Sequence, residues 1–93
     1  MAWLSCSREQ FAFTQGTPAQ FSSSPPVTRW FCGRCGTHVA YVHADDAEGV
    51  EVSTCSLDEP DAFPPTHHSW LEHGVGWVRF GDGLPAFPRS RYG

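Results

Sequence analysis

Lysine is absent from this chain of 93 residues, and its six basic residues are all arginines: Arg8, Arg29, Arg34, Arg79, Arg89 and Arg91. They are scattered along a chain of net charge −4. Gripping a phosphate backbone needs clustered positive charge, so a nucleic-acid partner is not expected. Long apolar runs are missing too, and with them any candidate membrane span. The opening MAWLSCSREQ has no basic segment leading into an apolar one, so it does not read as a signal peptide. The expected compartment is therefore cytoplasmic, where thiols stay reduced and serve metals or chemistry more often than disulfides. Helical periodicity is scarce as well. What the chain has in quantity is turn chemistry, nine Gly and eight Pro, together with 14% aromatic residues. The expected fold is mostly β, in one domain over 1–93 with 89–93 as a flexible tail.

Several segments read as strands. Ala2–Cys6 is a short apolar stretch. Phe11 and Phe13 alternate with polar residues, GTP at Gly16–Pro18 breaks the run, and Gln20–Ser22 can return as the second arm of a hairpin. SSSPP at Ser22–Pro26 reads as a loop, because consecutive prolines remove donors. Val27–Phe31 leads into a cysteine pair. Beyond it Val39, Tyr41 and His43 fall on one face of a strand, with Ala40 and Val42 on the other. Val50, Val52 and Thr54 alternate with Glu51 and Ser53. EPDAFPP at Glu59–Pro65 must be irregular, and Trp77–Phe80 suggests a last short strand before the turn GDGLP. The acidic pairs Asp45-Asp46 and Asp58-Glu59, like Asp82 between two glycines, read as turn residues.

The cysteine pair lies in FCGRCGTH, Phe31–His38. Two thiols two residues apart can be small buried residues, a redox pair or half of a metal site. A thioredoxin-like redox pair starts a helix, whose dipole favours the thiolate. The residues after Cys35 alternate like a strand, which argues against that reading. A zinc knuckle fits better, since Gly33 and Gly36 can supply the open backbone angles of a chain curling round an ion. Cys32 and Cys35 are accordingly the expected ligands of Zn2+. A structural zinc site takes four ligands, however, and the pair supplies two. Cys6, Cys55, His38, His67, His68 or the same pair from a second copy of the chain could complete it, and residue types alone do not choose among them.

Three segments in order, RWFCGRCGTHVAY, VEVSTCSLDEPDAFPPTHHSW and GVGWVRFGDGLPAFP, resemble the second part of the glutathione-dependent formaldehyde-activating enzymes, a family that also includes centromere protein V. The similarity runs from about Trp3 to Pro88, and Ser56–Pro60 followed by Phe63, Pro64 and His68 is its most diagnostic piece. The resemblance implies a β-tent of antiparallel sheets around a structural zinc. It also implies a carbon–sulfur lyase activity, S-(hydroxymethyl)glutathione synthase-like, on the adduct of glutathione and formaldehyde. By position Cys32 and Cys35 match the second cysteine pair of the family's structural zinc site, and His68 matches the histidine that ends the Pro-rich loop. The Cys-x-Cys pair that completes that site, and the Cys-x-Cys-x-x-Cys triplet that holds a catalytic zinc, lie upstream in the family and have no counterpart here. Cys6 stands where the family has an ordinary strand residue and Cys55 where it has glycine. The sequence therefore reads as the family domain lacking its N-terminal part, with Met1 inside a longer frame. The expected function is a zinc-binding domain not active alone, and the alternative is a zinc-dependent dimerisation or partner-binding module. The catalytic residues and the substrate-binding residues are not assigned.

Overall fold

A computed structural model describes residues 1–92, which group into two compact units, Met1–Phe63 and the described residues from Pro64 on. The first unit is an antiparallel five-stranded sheet. Its strands are β1 (Trp3–Ser7), β2 (Ala19–Ser24), β3 (Val27–Phe31), β4 (His38–His43) and β5 (Gly49–Ser53), in the spatial order β1-β5-β4-β3-β2. No α-helix occurs among the described residues, and none is long and apolar enough to cross a membrane.

Alternation decides the faces. Ala40, Val42, Val50 and Val52 are buried together, and Cys6, Phe11, Trp30, Val39 and Leu57 pack against them. The other face carries Trp3, Tyr41 and Glu51. There Arg29 sits 4.9 Å over the Tyr41 ring, and Ser5 donates to the Glu51 carboxylate at 2.7 Å. Strands of period two with one apolar face give this division directly. The core is thin: no large side chain is fully buried, and its buried members are Ala and Val.

Three strand expectations need correction in this unit. Phe11 and Phe13 form no strand. They pack on each other at 5.0 Å between centroids, and Phe13 meets Trp30 edge-on at 5.7 Å, so they cover the core face instead of extending the sheet. The hairpin partner of Ala19–Ser24 is β3, with Ala19 opposite Phe31 and Ser24 opposite Val27. Ser22–Ser24 accordingly belongs to a strand and only Pro25-Pro26 makes the turn. Proline is tolerated there because β2 is an edge strand and its outer N–H groups need no partner. Val39, placed with Tyr41 and His43 by simple alternation, packs against the core. The register slips between Trp30 opposite Ala40 and Phe31 opposite His38, a β-bulge at Val39. His38 thereby takes the Tyr41 side, where its ring meets Trp3 edge-on at 5.1 Å.

The second unit is irregular. Trp77–Phe80 is not a strand: Trp77 is 80% exposed, and Phe80 instead stacks on His68 at 3.9 Å. His68 donates its backbone N–H to Pro85 and accepts from Phe87. Its Nε2 lies 2.8 Å from Asp82 Oδ2, while the other Asp82 oxygen accepts from the Leu84 amide at 3.0 Å. Asp82 is thus a turn residue, with Gly83 at φ +73° behind it. The Leu84 amide, then the His68 ring, hold the Asp82 carboxyl below its ordinary value. A depressed native pKa stabilises above the unfolded value, about 3.9, and the contribution is lost as pH falls through the native one. The Leu84 amide resonance is therefore expected to move in an acid step below about pH 4, and Asp82→Asn is expected to remove that step. In the region expected to be a tail, the Arg89 carbonyl accepts from Trp70 and its side chain bonds Glu72 at 2.8 Å, while Gly93 lies outside the described residues.

Candidate metal centre

Strand β3 delivers the chain into Cys32 and β4 takes it away from His38. Two backbone hydrogen bonds close the turn between them. Cys32 N–H donates to the Thr37 carbonyl at 2.9 Å, and Gly36 N–H donates to the Cys32 carbonyl at 2.8 Å. Gly36 has φ +80°, a left-handed angle that a side chain disfavours. Gly33 is not in that region, and a Cβ there would meet Ala19 at an ordinary 3.8 Å. Only one of the two flanking glycines is thus required by backbone angle. A Cβ on Gly36 meets nothing within 4 Å, so Gly36→Ala tests the angle alone. It is expected to destabilise the Met1–Phe63 unit by about 1–2 kcal/mol in urea unfolding, with Gly33→Ala smaller.

All four cysteines are free thiols. Cys35 is exposed and Cys32 half-buried. Cys35 Sγ lies 3.0 Å from Thr37 Oγ1. The Thr37 hydroxyl foremost, then the Thr37 backbone N–H and the Cys32 thiol, favour its thiolate and hold its pKa below the ordinary cysteine value. Cys32 and Cys35 thus lie on one closed turn, and thiolates are a ligand type that zinc takes. Thr37 was not singled out from the sequence, although a hydroxyl two residues after the second cysteine was the available signal.

The other candidates have surroundings of their own. Cys6 sits on β1 against the core, where burial, and secondarily the Glu51 charge, push its thiol pKa up. Cys55 is exposed on the 3-10 turn Thr54–Ser56 after β5. His38 faces Trp3, and its Nε2 is buried without a hydrogen-bond partner. His67 bonds Thr66 at 3.0 Å, His68 is held by Asp82, and His73 lies 3.3 Å from Glu72. Among the described residues no group of three or more His, Cys, Asp or Glu is arranged to hold a metal ion. Within the Met1–Phe63 unit Cys32 and Cys35 lie on one turn, and no third described residue of that unit joins them as a ligand.

A shallow cleft of about 300 Å³ opens beside the turn, with Gly36, His38, Phe31 and Arg29 in its walls. The turn is therefore approachable from solvent. No curated protein matches the chain, and no solved structure does. The cysteine turn between β3 and β4 and the Ser56–Pro60 element after β5 both fall within residues 1–73, which match the glutathione-dependent formaldehyde-activating enzyme family. The segment GVGWVRFGDGLPAFP follows that match. The chain belongs to the glutathione-dependent formaldehyde-activating enzyme family.

Proposed function

We propose that this chain is a zinc-binding β domain in which Cys32 and Cys35 act as two ligands of a four-coordinate structural site. The observation that carries the reading is the closed β3–β4 turn, with two free thiols on it, a left-handed Gly36 and the Thr37 hydroxyl 3.0 Å from Cys35 Sγ. These residues fit half of a tetrahedral thiolate shell. In this reading the turn is a zinc knuckle, and the sheet is one part of the family's tent. Zinc bound here would neutralise the paired thiolates and tie β3 to whatever supplies the remaining ligands. The chain's own part is to keep the two cysteines on one closed turn, and the Cys32–Thr37 and Gly36–Cys32 hydrogen bonds support that. The setting that goes with this reading is a reducing, cytoplasmic one, where thiols stay available to a metal.

Family membership supports a carbon–sulfur lyase ancestry and a glutathione-adduct substrate. The Cys-x-Cys-x-x-Cys triplet has no counterpart in this sequence, so we read the chain by itself as inactive toward that adduct. Metal-replete protein forming S-(hydroxymethyl)glutathione faster than the uncatalysed reaction would refute this.

The second reading is a zinc-dependent dimer, in which the same pair from a second copy completes the shell. It is favoured by the two-ligand count and by an exposed sheet edge at β2, where Phe21 is 60% exposed. Zinc per chain and solution mass, measured with and without chelator, separate the readings. One zinc per two chains, with dissociation on chelation, identifies the dimer. A chelator-insensitive monomer that still holds zinc excludes it, and protein purified without bound zinc rejects both.

A further inference from the structure

The case against redox chemistry at Cys32 and Cys35 rests on the strand that follows Cys35, since no helix dipole is there to favour a thiolate. Exchange with a disulfide reagent also needs an exposed thiol with a second thiol close by, and the fold of the turn decides that. The Gly36 N–H donates to the Cys32 carbonyl at 2.8 Å and so closes one turn on which both Cys32 and Cys35 lie, while the Thr37 hydroxyl is 3.0 Å from Cys35 Sγ. Cys35 is exposed to a reagent, while Cys32 is half-buried on the same closed turn. A single closed turn brings residues i and i+3 within about 7 Å. That overlaps the roughly 4.4–6.8 Å Cα separation of disulfides.

We propose that Cys32 and Cys35 form a reversible intramolecular disulfide by exchange with low-molecular-weight disulfides, and that this oxidation excludes metal from the pair. The exclusion rests on the zinc reading above, whereas the disulfide does not. In the first step Cys35, as thiolate, attacks one sulfur of the small disulfide. That S–S bond breaks, one small thiolate leaves and Cys35 carries a mixed disulfide. Cys32 then gives up its proton, attacks the Cys35 sulfur and expels the second small thiolate. Two electrons pass from the pair to the reagent, and the two protons lost by the cysteines end on the two released thiols.

The remaining cysteines are internal controls. Cys55 is exposed too, but it sits alone on the Thr54–Ser56 turn, with no second cysteine there to resolve a mixed disulfide. Cys6 is packed against the core cluster. Neither can lose two hydrogens without a partner.

The test uses the full chain, reduced and stripped of metal, incubated with increasing oxidised glutathione. Intact mass and peptide mapping read the product, and cobalt(II), whose thiolate complexes absorb in the near ultraviolet, reads the metal site. The expected product has lost two hydrogens at Cys32–Cys35 and gives no cobalt–thiolate band, and dithiothreitol restores both thiols and band. Cys32→Ser is expected to stop at a stable glutathione adduct on Cys35. A persistent Cys35 adduct in the unaltered chain would overturn the proposal. So would modification of Cys55 while Cys32 and Cys35 stay reduced. If the disulfide forms but the reduced chain never develops the band, the exchange stands and the zinc reading falls. If the band forms but no disulfide does, the reverse holds.

Discussion

Val50→Asp is expected to leave the Met1–Phe63 unit unfolded, with loss of the β signal in circular dichroism and of any cooperative urea transition. Val50 lies on β5, paired with Cys6 of β1, and is 3% exposed. The core it belongs to consists of Ala40, Val42, Val50 and Val52, with only partly buried aromatics around it. An unpaired carboxylate buried there costs about 3–5 kcal/mol. Small domains have little net stability to set against that. The neighbouring position gives the comparison within the same strand. Glu51 already carries a carboxylate, one residue on and facing the opposite way, where it accepts from Ser5. The same charge is harmless or destructive according to which face of the pleat receives it. A Val50→Asp chain that retained a wild-type urea midpoint would show that this face is not the core.

The second large effect concerns metal. The double variant Cys32→Ser, Cys35→Ser is expected to bind no zinc and to gain nothing from adding it. The unaltered chain should gain stability with free zinc, by about 2.7 kcal/mol at a hundredfold excess over its dissociation constant. In chelator the two proteins should unfold at similar urea concentrations, because serine replaces cysteine at an exposed and a half-buried position of a surface turn. That control separates loss of the ion from loss of packing. A zinc-dependent shift that survives the double substitution would assign the ion to other residues.

The sequence conveyed the alternation of β4 and β5 well, because Ala40 and Val42, Val50 and Val52 are small apolar residues at strict period two with polar neighbours between them. It failed at Val39, since a bulge inserts one residue and turns Val39 inward; nothing in a one-strand pattern announces its partner's register. Phe11 and Phe13 misled for a related reason. Aromatic alternation marks a residue that wants cover on one side, and the covering residues of a sheet satisfy it as well as the sheet's own strands. Trp77–Phe80 has the composition of a strand, yet Arg79 bonds back to the Gly76 carbonyl at 2.7 Å and Phe80 turns onto His68. At the site, spacing identified the cysteine turn and Gly36. It overvalued Gly33, whose backbone angle any residue could adopt, and it passed over Thr37, whose hydroxyl lies 3.0 Å from Cys35 Sγ.

Everything proposed for function depends on sulfur from this turn reaching a metal ion. X-ray absorption at the zinc edge, on protein purified without thiol modification, reads those neighbours directly. Sulfur scatterers at about 2.3 Å, reduced in number when Cys35 is replaced by serine, are the expected result. A zinc shell of nitrogen and oxygen only, or a sulfur shell indifferent to Cys35, would contradict it.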